Sequence, residues 1–268
     1  DTFTYTVTSG GALETATVTV TVIPINDAPV ATGSTATIAA INEGSDSISS
    51  NSSAVQLNGT SAYMATTISP LSNVTNFSIS FWLKPGRLTG QQTLVAQNDA
   101  VEVSLINSGM YVWTTNSSGH TFDLSSVLTV GTWVHLVLTG DATADQIKVY
   151  ANGTQVGTSW SHANIVNYGD YYGTPSVLIA GGFSGDGMGG PLQGIIDEIS
   201  VWTVTKSASE VSALKTQPPS GSEVGLVGYW GLNEGTGTTV YNSKTGATAA
   251  SNFLFFGNPA PTWTTSNL

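Results

Sequence analysis

Apolar residues in this chain recur at every second position in short runs, and turn-forming residues cut each run off before a helix could use it. Phe77, Ile79, Phe81 and Leu83 alternate with Ser78, Ser80 and Trp82, and Val101, Val103 and Leu105 alternate with Glu102 and Ser104. Similar runs lie at Val55 to Leu57, Trp133 to Thr139, Ile147 to Tyr150, Val177 to Ile179, Ile195 to Trp202 and Leu226 to Trp230. A period of two sends neighbouring side chains to opposite faces of an extended strand. Strands this short, separated by Gly, Asn and Ser turns such as Asn152-Gly153, predict antiparallel sheets packed face to face. One stretch alone reads as a helix, Ser207 to Lys215: Ser207 caps it, Glu210 completes a capping box, and Val211 and Leu214 share a face. The expected fold class is therefore all-β.

Charge and residue usage exclude several functions. The chain has 17 Asp and Glu against 6 Lys and Arg in 268 residues, a net charge of -11. Phosphate recognition needs basic patches, so no nucleic-acid partner is expected. The surplus acids must be satisfied by water, backbone donors or cations, and among cations calcium prefers clustered oxygen ligands. With no Cys, neither disulfides nor thiolate metal and redox centres can form. His120 and His162 stand alone in loops and His135 sits mid-strand beside Trp133 and Val137, which reads as a packed histidine and leaves no zinc site. No apolar run reaches the roughly 20 residues of a membrane span, so no membrane insertion is expected. Asp1 already opens a strand-like alternation, so the chain reads as a piece of a longer multidomain polypeptide, monomeric within it.

At the N-terminus Phe3, Tyr5 and Val7 alternate with threonines, Ser9-Gly10-Gly11 turns the chain, and Val18, Val20 and Val22 alternate with threonines again. This predicts a β-hairpin, which alone buries too little surface to be stable. The prolines of Pro24-Ile25-Asn26-Asp27-Ala28-Pro29 then stop the ladder and hold an extended path. The order hairpin, Pro, Asn-Asp, Pro resembles the junction of cadherin-like tandem repeats in large bacterial RTX-type adhesins. That resemblance implies that residues 1–31 close one Ig/cadherin-like repeat, that Asn26, Asp27 and Glu43 hold interdomain calcium, and that the protein is secreted and displayed at a bacterial cell surface. Asn-Asp before Pro is equally ordinary turn chemistry. Residues 32–50 read either as a linker or as the first strand of a further repeat.

Residues 51–268 carry segments in a fixed order: "LNGTSAYM" at 57–64, "FSISFWLKP" at 77–85, "LTVGTWVHLVLT" at 128–139, "IKVYANG" at 147–153, "LQGIIDEISVW" at 192–202, "SASEV" at 207–211 and "GLVGYWGLNEGTGTTVYNSKTG" at 225–246. These are similar to the laminin-G-like jelly roll of the concanavalin A-like superfamily, which implies an antiparallel jelly-roll β-sandwich. Trp82, Trp133 and Trp202, inside strands, are expected in its core. The superfamily includes glucanases, and a retaining glycosidase needs two carboxyls about 5 Å apart. Asp197 and Glu198 are strand neighbours expected on opposite faces. The glucanase pattern Glu-x-Asp-x-x-Glu is missing, since Ile199, Ser200, Val201 and Trp202 follow. No serine elbow is present either, so no enzyme is expected.

Candidate binding residues gather in the loops. Asn167 to Gly173 places Tyr168, Tyr171 and Tyr172 around Asp170, and Gly181 to Gly190 surrounds Asp186 with glycines. Glycine-rich backbone can bring carbonyls onto a cation, and rings beside polar groups suit the apolar face of a sugar. The expected metal ligands here are Asp170, Asp186 and Asp197, the last sharing parity with Ile195, Ile199 and Val201 and so placed at a strand rim or held by donors or a metal. The expected ligand-binding set is Tyr168, Asp170, Tyr171, Tyr172 and Asp186, with Asp99, Trp113 and Trp160 from other loops. The alternative is that the tyrosines cap the sandwich and the glycines serve turns. The expected function is a non-catalytic module of a secreted bacterial adhesin that binds cell-surface or matrix glycans with calcium. A protein- or peptide-binding adhesion domain and a ligand-free spacer are the competing readings.

Overall fold

Alternation becomes layering in the computed structural model, which describes residues 2–9, 12–19, 53–115, 119–161, 167–168, 176–182 and 189–268. The chain divides into two units, Asp1–Gly44 and Ser45–Leu268. In the first, β1 (Thr2–Ser9) and β2 (Ala12–Thr19) pair antiparallel, with Phe3 opposite Val18 and Tyr5 opposite Ala16. Residues 20–52, and with them Asn26, Asp27 and Glu43, lie outside the described residues.

The second unit contains β3 (Ser53–Asn58), β4 (Tyr63–Ala65), β5 (Asn76–Pro85), β6 (Gln91–Gln97), β7 (Val101–Ile106), β8 (Gly109–Thr114), β9 (His120–Asp123), β10 (Val134–Asp141), β11 (Gln146–Ala151) and β12 (Thr154–Ser161). It continues through β13 (Leu178–Ala180), β14 (Gln193–Trp202), α1 (Ala208–Leu214), β15 (Leu226–Trp230), β16 (Thr239–Val240), β17 (Phe253–Phe256) and β18 (Thr262–Thr265). The first sheet runs β12-β11-β10-β5-β14-β3-β18, with β15 also paired to β14, and the second runs β16-β17-β4-β13-β6-β7-β8-β9. Each is antiparallel, and the chain repeatedly crosses between them, as in a jelly roll.

Between the sheets, Phe77, Ile79, Phe81 and Leu83 of β5 meet Val101, Val103 and Leu105 of β7 and Met110 and Val112 of β8, all fully buried. Each such side chain removed from water contributes about 1.5–3 kcal/mol. The outward face of the first sheet is covered as well. Ser207 caps α1 in a capping box with Glu210, and the helix sets Val211 against Val137 and Tyr150. Beside it Trp202, Leu226 and Tyr229 form a further apolar cluster. Trp202 is thus buried outside the sandwich core, because β14 turns it away from the second sheet; Trp82, turned the same way by β5, is only half-buried, as is Trp133, which lies just before β10 and not inside a strand. His135 is packed as its sequence setting indicates, 2.8 Å from Ser80 Oγ through Nε2. Burial, helped by the nearby charge of Lys215, pushes its pKa down to about 4.

Strict alternation fails at one place in β14. Asp197 stands opposite Trp82 and Ser200 opposite Ser80, so Glu198 and Ile199 together face the single residue between them on β5. This is a β-bulge, and Glu198 takes a left-handed φ of 51°. The expectation that Asp197 shares a face with Ile199 and opposes Glu198 is therefore corrected, since the extra residue shifts the parity.

Candidate functional site

The outward face of the second sheet carries a different surface. Leu254 stands opposite Ala65, Ala65 opposite Ile179, Ile179 opposite Ala96, Ala96 opposite Glu102, and Glu102 opposite Trp113. These residues form one row across the sheet. In the adjacent row Phe256 pairs with Tyr63, their rings stacked with centroids 5.2 Å apart and planes 17° from parallel. Small alanines floor the strip and the rings wall it, leaving an open hollow of about 410 Å³ lined by Tyr63, Ala65, Thr66, Val177, Ile179 and Phe256. Binding sites for small ligands fall in the range of roughly 300–1,000 Å³. Val177, Leu254 and Phe256 remain 38%, 40% and 39% exposed, and contiguous apolar exposure of this kind marks an interaction surface.

Glu102 and the β6–β7 turn lie further along the row, beyond the residues that line the hollow. Asp99 adopts a left-handed φ of 63° there. Asn98 Nδ2 donates to Asp99 Oδ2 at 3.0 Å, the Asp99 amide lies 3.4 Å from Glu102 Oε1, and Thr115 Oγ1 donates to the Asp99 carbonyl at 3.1 Å. Asp99 and Glu102 are 6% and 2% exposed. Among the described residues no group of three or more His, Cys, Asp or Glu could hold a metal ion.

Glycines bring a further segment onto this face. A Cβ on Gly182 would come within 2.6 Å of Tyr63 Cβ, and one on Gly189 would collide with Thr93 Oγ1 and approach Ser104 Oγ to 3.3 Å. Both positions need glycine because the backbone lies directly on outward side chains. Residues 183–188, including the expected ligand Asp186, lie outside the described residues, as do Asp170, Tyr171 and Tyr172.

Tyr168 is described, and it corrects the expectation of a sugar platform. It is fully buried, its amide donates to the Val74 carbonyl at 2.7 Å, and its ring meets Phe77 edge-on at 4.7 Å. Burial drives its hydroxyl pKa far up. An apolar ring beside a gap in the core gains more by filling it than by facing water. Trp160 stacks on His120 with centroids 5.3 Å apart, joining the edge strands β12 and β9 of the two sheets. It therefore lies at the opposite edge of the second sheet from the hollow. Trp113 lies opposite Glu102 on the same face, three strands from Ile179, and neither Trp113 nor Asp99 lines the hollow.

Asp197 belongs to the other sheet, and of the settings expected for it, a strand rim or a place held by donors or a metal, the structure shows donors. It is fully buried, with Oδ1 accepting from the Glu198 amide at 2.9 Å and Oδ2 from Ser266 Oγ at 2.7 Å. These donors offset the cost of burying the carboxylate. Glu198, 7% exposed, accepts from Tyr229 OH at 2.5 Å. Burial pushes its pKa up to about 7, against the opposing effect of that hydrogen bond. Neither carboxyl lines the hollow.

Residues 58–212 match the laminin G-type family model of the concanavalin A-like lectin/glucanases superfamily. The chain belongs to this superfamily. Solved structures share the fold at low identity. A Bacteroides ovatus protein to which carbohydrate binding is ascribed superposes with a TM-score of 0.63 at 16% identity, over 81% of this chain and 60% of its own. The chain thus spans 60% of the length of that protein. A heptameric SAP-like pentraxin from Limulus polyphemus gives a TM-score of 0.54 at 16% identity, covering 66% of this chain and 89% of its own. The CBM40 of the Ruminococcus gnavus IT-sialidase gives 0.50 at 14% identity, covering 61% and 97%. No curated protein sequence matches the chain.

The hollow-forming residues of this concanavalin A-like domain were not singled out in the sequence. Tyr63 sits inside the "LNGTSAYM" segment, and the run Phe253-Leu254-Phe255-Phe256 was the available signal for a short apolar strand. What joins them is sheet order, which no local pattern encodes. No helix among the described residues is long and apolar enough to cross a membrane.

Proposed function

We propose that residues 51–268 form a non-catalytic glycan-binding module whose sugar site is the hollow on the outward face of the second sheet. The observation that carries this reading is the stacked Tyr63–Phe256 pair, with Phe256 39% exposed, standing over an apolar floor of Ala65 and Ile179. Aromatic faces flanked by polar groups offer a sugar ring both an apolar contact and hydrogen bonds. α1 and the Trp202 cluster cover the outward face of the first sheet. The fold is also the one found in the Bacteroides ovatus protein to which carbohydrate binding is ascribed.

Calcium belongs to the proposal, as does the setting of a secreted bacterial adhesin with a cadherin-like repeat before the module. Glu102, two strands from Ile179 on the same face, and Asp99 against it supply carboxylates, whereas a calcium ion takes six to eight oxygens. The reading assigns the remaining ligands to Asp170 and Asp186, and the junction ion to Asn26, Asp27 and Glu43.

A glycan array probed with the whole chain, in calcium and in EDTA, tests the function. Binding that Phe256→Ala weakens about tenfold, equivalent to about 1.4 kcal/mol, without loss of thermal stability supports the site. An array blank in both buffers refutes glycan binding. Equal binding and equal stability in both buffers would remove calcium from the account. Displacement by a simple sugar of any captured protein partner separates lectin-like binding from protein recognition.

A further inference from the structure

All 6 Lys and Arg of the chain fall within the described residues, and the structure sets them away from the hollow. Lys84 continues the outward parity of Ser80 and Trp82 in the first sheet, and Lys148 stands opposite Thr139 on that same sheet. Lys206 lies 3.8 Å over the Trp202 ring and 3.3 Å from Glu210 Oε1. Lys215 follows α1, close enough to His135 to depress its pKa. Lys244 occupies the loop held by Asn242, whose side chain also binds the Tyr229 amide. Arg87 lies past the end of β5, its Nη2 donating to the Pro191 carbonyl at 3.3 Å. Glu102 shares a row with Ile179 of the hollow, two strands away, or about 10 Å at ordinary strand spacing.

Resting on the glycan-binding reading, we propose that the hollow selects glycans without acidic groups, neutral or amino-bearing sugars, and rejects sialylated, uronic-acid and sulfated ones. An anionic group entering the apolar strip loses water and gains no Lys or Arg partner, a cost that is not repaid. The charge at Glu102 lies near the Debye length of about 8 Å at physiological salt and adds repulsion. The same charge favours an ammonium group. A calcium ion on Asp99 and Glu102 would offset that repulsion, which is why both buffers enter the test.

The test titrates the whole chain with neutral, amino-bearing and acidic oligosaccharides of equal length, in calcium and in EDTA. Neutral or amino-bearing sugars are expected to bind at least tenfold more tightly than acidic ones in every buffer that supports binding. Acidic sugars binding as well or better in either buffer overturn the selectivity while leaving the glycan site standing, and absence of binding by every class overturns both. Val177→Lys, which places a cation in the hollow, is expected to narrow the gap. A gap left unchanged by that variant counts against charge as its cause.

Discussion

Replacing Glu198 with Gln should abolish a pH dependence of stability that the wild-type protein conceals. Glu198 is buried in the β14 bulge and accepts a 2.5 Å hydrogen bond from Tyr229 OH, and its pKa rises from 4.5 to about 7 in the folded state. Between those values the folded protein holds a proton that the unfolded chain has released. Stability from this group is thus fully present below pH 4.5 and is lost as pH rises towards 7, by about 1.4 kcal/mol per pH unit and about 3 kcal/mol in all. His135 acts in the opposite sense. Its pKa falls from 6.5 to about 4, so the unfolded chain holds the extra proton and stability drops as pH falls through that range. Between pH 4.5 and 6.5 the two slopes oppose each other, which hides both in a wild-type profile. Glu198→Gln keeps an oxygen for Tyr229 and has no charge to bury. Urea unfolding followed by tryptophan fluorescence should show variant and wild type nearly equal at pH 4.5, and the variant ahead by about 3 kcal/mol at pH 8. That corresponds to a melting temperature on the order of 10 °C higher for a domain of this size. A difference that stays constant from pH 4 to 8 would refute the argument.

The remaining predictions use the same unfolding assay. His135→Gln should gain on wild type by about 3 kcal/mol as pH falls from 6.5 to 4, because the buried imidazole no longer has to stay neutral; a parallel pair of profiles would exclude it. Phe77→Ala removes a fully buried ring that Tyr168 meets edge-on, and should cost about 3–5 kcal/mol, with a loss below 1 kcal/mol showing that the site is not core. Ser207→Ala deletes the capping-box side chain of α1 and should cost about 1 kcal/mol, together with faster amide exchange over residues 208–214 only.

Strands with strong alternation were legible in the sequence: β5, β7, β10, β11, β14 and β15 lie where the apolar periodicity places them. The helix was legible down to its capping box at Ser207 and Glu210, because capping is a contact between residues three apart. Less regular strands such as β6, with its run Gln91 to Gln97, and the short β9 and β17 carried too little periodic signal. The bulge at Glu198 was hidden for a related reason, since a pattern read along one strand cannot show which partner residue it faces.

What the sequence by itself determined is the period of two, the turns that end each run, and an absence of cysteine and a scarcity of cations, which together dictate an all-β sandwich with an acidic surface. What only the tertiary structure decided is which side chains share a face. Tyr63, Ile179 and Phe256 become neighbours through sheet order, across β4, β13 and β17. Tyr168 was drawn into the core although its sequence neighbours are polar and aromatic, and Asp197 was enclosed by Ser266 from the far end of the chain. The physical reason is range: strand periodicity and capping act between residues a few positions apart, whereas a binding face is made by pairings between distant segments, whose register is fixed only when the whole core closes.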